Sequence, residues 1–154
     1  MPNLKNHIII FIDGENMKPY THKIAYYETD KMGVTHHSNY VRIMEEARIY
    51  FLDEIGWSYA KLEEEGIISP VININCNYRK TTTFPDVLLV KVWVEKISAC
   101  KLTFGYEYTV EGDNSGDVVF TATSSHCFLD KNGAPMIVEK THPELWKALK
   151  EFCK

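Results

Sequence analysis

One amphipathic segment limits the folds open to this chain. Tyr40, Ile43, Met44, Ala47, Phe51 and Ile55 recur at three- and four-residue steps, while Arg42, Glu45, Glu46, Arg48, Asp53 and Glu54 fall largely between them. That spacing lays the apolar set along one stripe of an α-helix of about four to five turns. Ser38 or Asn39 stands where a side chain can cap the start, and Gly56 fits the C-terminal end. A lone helix with so broad an apolar face has to bury it. The rest of the chain offers mainly strands for the purpose.

The segment THKIAYY, Thr21 to Tyr27, is rich in β-branched and aromatic residues and reads as a first strand. After the long helix, Ser58 to Gly66 reads as a short second helix stopped by its glycine. ISPVININCNYRK then alternates Val71, Ile72, Ile74, Cys76 and Tyr78 with asparagines. DVLLVKVWVEKIS sets Leu89, Lys91, Trp93 and Glu95 against Val90, Val92, Val94 and Lys96, the two-residue period of a strand. KLTFGYEYTVEG and DVVFTATSSHCFLD follow, joined by the hairpin signal GDNSGD, Gly112 to Asp117. DKNGAP is a further turn, and HPELWKALKEFCK reads as a terminal helix with Pro143 at its first position. One strand, a long helix and then four strands at meander spacing predict an α+β fold: an antiparallel sheet curved around the helix.

At 154 residues with 45% hydrophobic content, one domain with a real core is the economical expectation. We place it at 17–154, with 1–16 as an extension. Within that extension HIIIFI, His7 to Ile12, is too short for a signal-peptide core. It is expected to be an extra strand or upstream sequence. A net charge of −4 provides no basic field for nucleic acid. No apolar run approaches the roughly 20 residues of a membrane span. Cys76, Cys100, Cys127 and Cys153 form no C-x-x-C pair, and reduced thiols in the cytoplasm are expected.

The chemistry concentrates in YYETDKMGVTHHSNY, Tyr26 to Tyr40. His22, Asp30, His36, His37, Glu45 and Glu46 are suitable metal ligands by type, but their spacing is poor and no metal is expected. No nucleophile elbow, phosphate loop or dinucleotide glycine pattern occurs. Asp30 is different, because it lies between a strand and a helix start whose first N–H groups lack internal partners. Such amides can polarise a carbonyl, and a carboxylate beside it can attack or activate water. On residue types alone a plainer reading outweighs this one: Asp30 caps a turn and His37 is solvated.

The motif YYETDKMGVTHHSNYVRIMEEAR resembles the signature of the hotdog-fold acyl-CoA thioesterases, in the 4-hydroxybenzoyl-CoA thioesterase and YbgC branch. The matching positions are Tyr26, Tyr27, Thr29, Asp30, Gly33, His37, Asn39, Tyr40, Ala47 and Arg48, and the likeness runs from about Lys18 to Leu129. It implies a five-stranded antiparallel sheet wrapped around the long helix, with homodimers joined sheet edge to sheet edge and paired into homotetramers. It implies hydrolysis of acyl-CoA, with CoA as part of the substrate and no separate cofactor. Asp30 takes the place of the catalytic carboxylate, as nucleophile or general base. His37 takes the place whose backbone N–H polarises the thioester carbonyl. Tyr26, Tyr27, Gly33 and Asn39 fall with the substrate-binding set, Gly33 letting the acyl group approach closely. Arg79 and Lys80 either meet the CoA phosphates or form an ordinary solvated strand end. Glu45 is expected in a surface ion pair, while Glu46 and Arg48 stay open. Two rival activities share the fold or the ligand. A hotdog hydratase or dehydratase would place its Asp and His at the shorter D-x4-H spacing, whereas six residues separate Asp30 from His37. A non-catalytic acyl-CoA-binding module is the other rival.

Overall fold

The computed structural model describes residues 17–154. The expectation for His7 to Ile12 lies outside those residues. The elements in chain order begin with β1 (Tyr20–Lys23), a single 3-10 turn (Tyr26–Glu28), α1 (His37–Glu54) and α2 (Tyr59–Glu64). They continue with β2 (Val71–Tyr78), β3 (Val87–Ser98), β4 (Lys101–Val110), β5 (Phe120–Cys127), α3 (Val138–Thr141) and α4 (Pro143–Glu151). All strand pairs are antiparallel, in the order β1-β3-β4-β5-β2.

The expected five-stranded sheet around one helix is therefore present, but the meander extends only over β3, β4 and β5. β2 lies on the far edge, with Ile74 opposite Ser124 and Tyr78 opposite Phe120. Sequence alternation records which face of a strand is buried. It carries no information about which neighbour the strand pairs with.

The stripe on α1 packs as its spacing requires. Tyr40, Ile43, Met44, Ala47 and Phe51 are buried against Val90, Val94, Phe104, Tyr106, Tyr108 and Phe120 of the concave sheet face. Phe51 lies edge-on to Phe104 at 5.5 Å and to Phe152 at 5.4 Å, so α4 closes one end of the core. Burying a ring of this size contributes roughly 1.5–3 kcal/mol. On the opposite sheet face the Trp93 ring lies so close over Gly105 that a Cβ there would overlap it.

Two sequence expectations change locally, and one position left open is placed. β1 ends at Lys23, and Tyr26 and Tyr27 belong to the 3-10 turn, where they are 78% and 87% exposed. The cap of α1 is His36, not Ser38 or Asn39. Its ring Nδ1 accepts from the Ser38 amide at 3.3 Å and meets the Ser38 hydroxyl at 2.8 Å. Asn39 is occupied elsewhere, donating from Nδ2 to the Glu28 carbonyl at 2.8 Å. Finally, Arg48 falls inside the core. Its guanidinium donates to the Tyr59 and Tyr106 hydroxyls at 3.4 and 3.3 Å, and only its outer nitrogen approaches Glu45, at 3.9 Å. Beyond Tyr106 the Ser124 hydroxyl leads to His126, fully buried on β5. Burial and the nearby Arg48 charge hold His126 down to about 4, against a backbone hydrogen bond with Ser69, so it is neutral at neutral pH.

No helix among the described residues is long and apolar enough to cross a membrane. Cys76, Cys100, Cys127 and Cys153 are all free thiols.

Candidate active site

The Asp30 turn is built by local hydrogen bonding. The Asp30 N–H donates to the Val34 carbonyl and the Gly33 N–H to the Asp30 carbonyl, both at 2.9 Å. Asp30 Oδ1 accepts the Met32 N–H at 2.8 Å. Thr29 and Thr35 bridge across its base. Gly33 sits at φ 77° with open space where a Cβ would go, so backbone handedness rather than crowding selects glycine.

The β2–β3 connection closes over this turn. The Thr35 N–H donates to the Thr82 carbonyl at 2.8 Å, and the Thr83 hydroxyl donates to the Gly33 carbonyl at 2.6 Å. The Thr82 hydroxyl lies 2.8 Å from both Thr35 Oγ1 and the Tyr40 hydroxyl. Burial pushes the Tyr40 hydroxyl above its usual range despite opposing hydrogen bonds from Thr82 and Thr35.

The helix start lies immediately beyond. Of its first three amides, Ser38 is capped by His36 Nδ1 and Asn39 donates to the His36 carbonyl at 3.0 Å. The His37 amide has no acceptor among the described residues. It sits at the positive end of the 18-residue helix, where N–H groups and dipole together favour negative charge. The His37 ring lies 4.2 Å from that of His36, and the Tyr78 hydroxyl donates to the His37 carbonyl at 2.9 Å.

His37, Arg79 and Lys80 share a cavity of about 160 Å³ with Thr35, Tyr40 and Tyr78. Asp30, Gly33, Tyr26, Tyr27 and Asn39 do not line it. Asp30 and Gly33 form the neighbouring turn, Tyr26 packs on Phe84 at 5.8 Å, and Asn39 braces the helix start from within. Lys80 pairs with Asp117, and Arg79 is exposed beside it. A larger groove of about 280 Å³ runs along the β1–β3 edge between Tyr20, Tyr50, Trp93 and Lys154. Asp30 does not line it, and its lining pairs no carboxylate with a free helix amide. Among the described residues, no group of three or more His, Cys, Asp or Glu is arranged to hold a metal ion.

Sequence reasoning had Tyr40 only as a motif match and a member of the apolar stripe, and it did not place Tyr78 or Thr82 at the site. Their signal was present but non-local, because CNYRKTTTFPD reaches the helix start only through the sheet order.

The architecture and motif agree with what the chain resembles among known proteins. The model of the thioesterase-like superfamily matches residues 24–148. YneP of Bacillus subtilis, provisionally named an acyl-CoA thioesterase, is 32% identical over 133 residues, covering 86% of this chain and 94% of its own. The crystal structure of a DHNA-CoA thioesterase from Staphylococcus aureus superposes with a TM-score of 0.79 at 33% identity, covering 87% and 89% of the two chains. A structure from Aquifex aeolicus gives 0.75 at 34% identity, covering 84% of this chain and 97% of that one.

Proposed function

The chain belongs to the thioesterase-like superfamily and has its hotdog fold, and on that premise we propose that it hydrolyses acyl-CoA thioesters to a free acid and CoA. One observation carries the reading. A carboxylate with a single amide partner and the unpaired first amide of a long helix are built into adjoining segments, next to an open cavity.

In this reading the thioester carbonyl oxygen takes the His37 N–H, which withdraws electron density from the carbonyl carbon. Asp30 removes a proton from water as its oxygen bonds to that carbon, and the oxyanion grows against the helix N-terminus. When the tetrahedral adduct collapses, the C–S bond breaks and the CoA sulfur leaves with the proton held by Asp30. Direct attack by Asp30 is the other course: an acyl–carboxylate anhydride forms as the C–S bond breaks and CoA leaves as thiolate. Water then cleaves the anhydride to the free acid and the Asp30 carboxylate, releasing the proton that the thiolate takes up. Arg79 at the mouth supplies positive charge for CoA phosphate, Lys80 being engaged with Asp117. CoA enters as part of the substrate, and no further cofactor is needed for either course.

The assembly we propose joins two chains through β2, an edge strand with Val71, Ile72 and Ile74 exposed. Two such dimers then form the tetramer implied by the motif. Four free thiols support a cytoplasmic location.

The test is cleavage of an acyl-CoA panel by purified protein, followed with a free-thiol reagent. Asp30→Asn should lower turnover by about 10²–10⁴-fold, the usual worth of a general base. Wild-type turnover in a folded Asp30→Asn protein would overturn the assignment. After hydrolysis in ¹⁸O-water under single-turnover conditions, label in the Asp30 peptide would select direct attack.

A further inference from the structure

We propose that Glu28 is the positioning residue of this site, pinning the Asp30 turn and the start of α1 to β1; the proposal rests on the thioesterase reading. Glu28 ends the 3-10 turn, two residues before Asp30, and is 6% exposed. A buried carboxylate is retained at such a place only when its oxygens are hydrogen-bonded. That condition holds. Its Oε1 accepts the Ala25 N–H at 3.0 Å, and His22 Nε2 lies 2.9 and 3.1 Å from its two oxygens.

The main chain of the same residue holds the helix. The Glu28 carbonyl accepts both the His36 N–H at 2.9 Å and Asn39 Nδ2 at 2.8 Å. Thus β1, the turn carrying Asp30, and the segment presenting the His37 amide are all fastened at one peptide. Rotating that peptide would move the proposed base and the proposed carbonyl-polarising amide relative to each other.

The His22 ring is held from its other side as well. Its Nδ1 lies 3.1 Å from Glu46 Oε2, on the third turn of α1, and that oxygen also accepts the Tyr20 hydroxyl at 2.7 Å. The chain Tyr20–Glu46–His22–Glu28 therefore ties the middle of α1 to its start through β1. This accounts for Glu46, whose role the helix spacing left open. None of these groups lines the cavity, so their effect on chemistry passes through Asp30 and His37.

The experiment compares Glu28→Ala, Glu28→Gln and His22→Gln with wild type on acyl-CoA, checking folding by near-UV circular dichroism. A displacement of about 1 Å can cost about 10²-fold in rate. Glu28→Ala is expected to lower kcat by about 10–100-fold with KM held within about threefold. Glu28→Gln keeps the acceptor for Ala25 and should recover most of the loss. His22→Gln, on the strand, should lower kcat by about fivefold, and it carries the test if Glu28→Ala does not fold. Wild-type kcat in a folded Glu28→Ala or His22→Gln protein, or no recovery in Glu28→Gln, would overturn the proposal. Amide exchange supplies a readout independent of activity: the hydrogen-bonded His36 and Asn39 amides should exchange about tenfold faster in Glu28→Ala. If wild type cleaved no acyl-CoA, the thioesterase reading would fall, and unchanged exchange at those amides would sink the positioning role by itself.

Discussion

Asp30–Val34 and Asp130–Ala134 read D-K-M-G-V and D-K-N-G-A, and the two segments fold back on themselves in the same way. In each, the aspartate N–H donates to the carbonyl four residues on, at 2.9 Å, and the glycine N–H returns to the aspartate carbonyl, at 2.9 and 3.0 Å. In each, Oδ1 accepts the amide two residues on at 2.8 Å. Gly33 and Gly133 sit at φ 77° and 80°, and Thr29–Thr35 and Leu129–Pro135 bridge the two bases. The differences lie outside the shared pattern. Asp130 Oδ1 takes a second amide, from Ala134 at 3.0 Å, whereas Asp30 has only the Met32 amide. The Asp30 turn leads into an 18-residue helix with an unpaired first amide; the Asp130 turn leads into the four-residue α3. Local sequence is thus enough to make the turn, and the surroundings decide whether its carboxylate has chemistry to do.

The widest separation between the two turns is expected from paired substitutions. Asp30→Asn should cost about 10²–10⁴ in turnover while Asp130→Asn stays within about twofold of wild type, measured by thiol release. Equal losses would erase the distinction. Next in size is an effect that should not distinguish them. His126 is held to about 4 in the folded protein against an ordinary 6.5, so between these values the unfolded chain binds a proton that the native core refuses. Stability is therefore full above about pH 6.5 and is lost as pH falls toward 4, by on the order of 3 kcal/mol. Urea titrations at about pH 7 and about pH 4.5 should show that acid loss equally in both aspartate variants, because its origin is the core.

Glycine replacement tests whether the turns are equivalent as structure. No atom lies within 4 Å of a Cβ at either position, so Gly33→Ala and Gly133→Ala should each destabilise by about 1–2 kcal/mol, the left-handed backbone cost. Urea unfolding reads the shared loss, and only Gly33→Ala should also reduce turnover. The smallest effect is expected at the brace peculiar to the first turn. Thr83→Val removes the donor to the Gly33 carbonyl and should cost about 0.5–1.5 kcal/mol by the same titration. No such donor reaches the Gly133 carbonyl among the described residues. A null result would leave the two turns equally anchored.

The residue pattern anticipated much of this because its signals are local. Phe51 and Met44 face the core because their spacing matches the helical period, and Gly56 ends α1 at φ 81° as its position suggested. Other residues could not be assigned this way. Asn39 looked like a cap, but its amide is drawn to the Glu28 carbonyl, so His36 caps instead. Arg48 occupied a polar slot between apolar helix residues, but Tyr59 and Tyr106 give its guanidinium partners inside the core. Both outcomes depend on partners 11 or more residues away.

By itself, the sequence determined the elements: a long helix, strands with one buried face, and two D-K-x-G turns with glycine where the backbone turns left-handed. Those follow from interactions within a few residues, and periodicity records them. Only the tertiary structure decided that β2 joins the far edge beside β5, that Tyr78 reaches the start of α1, and that Glu28 is buried between His22 and the helix. Strand order and burial are set by contacts between distant segments competing for one core, and no local pattern encodes which of them meet.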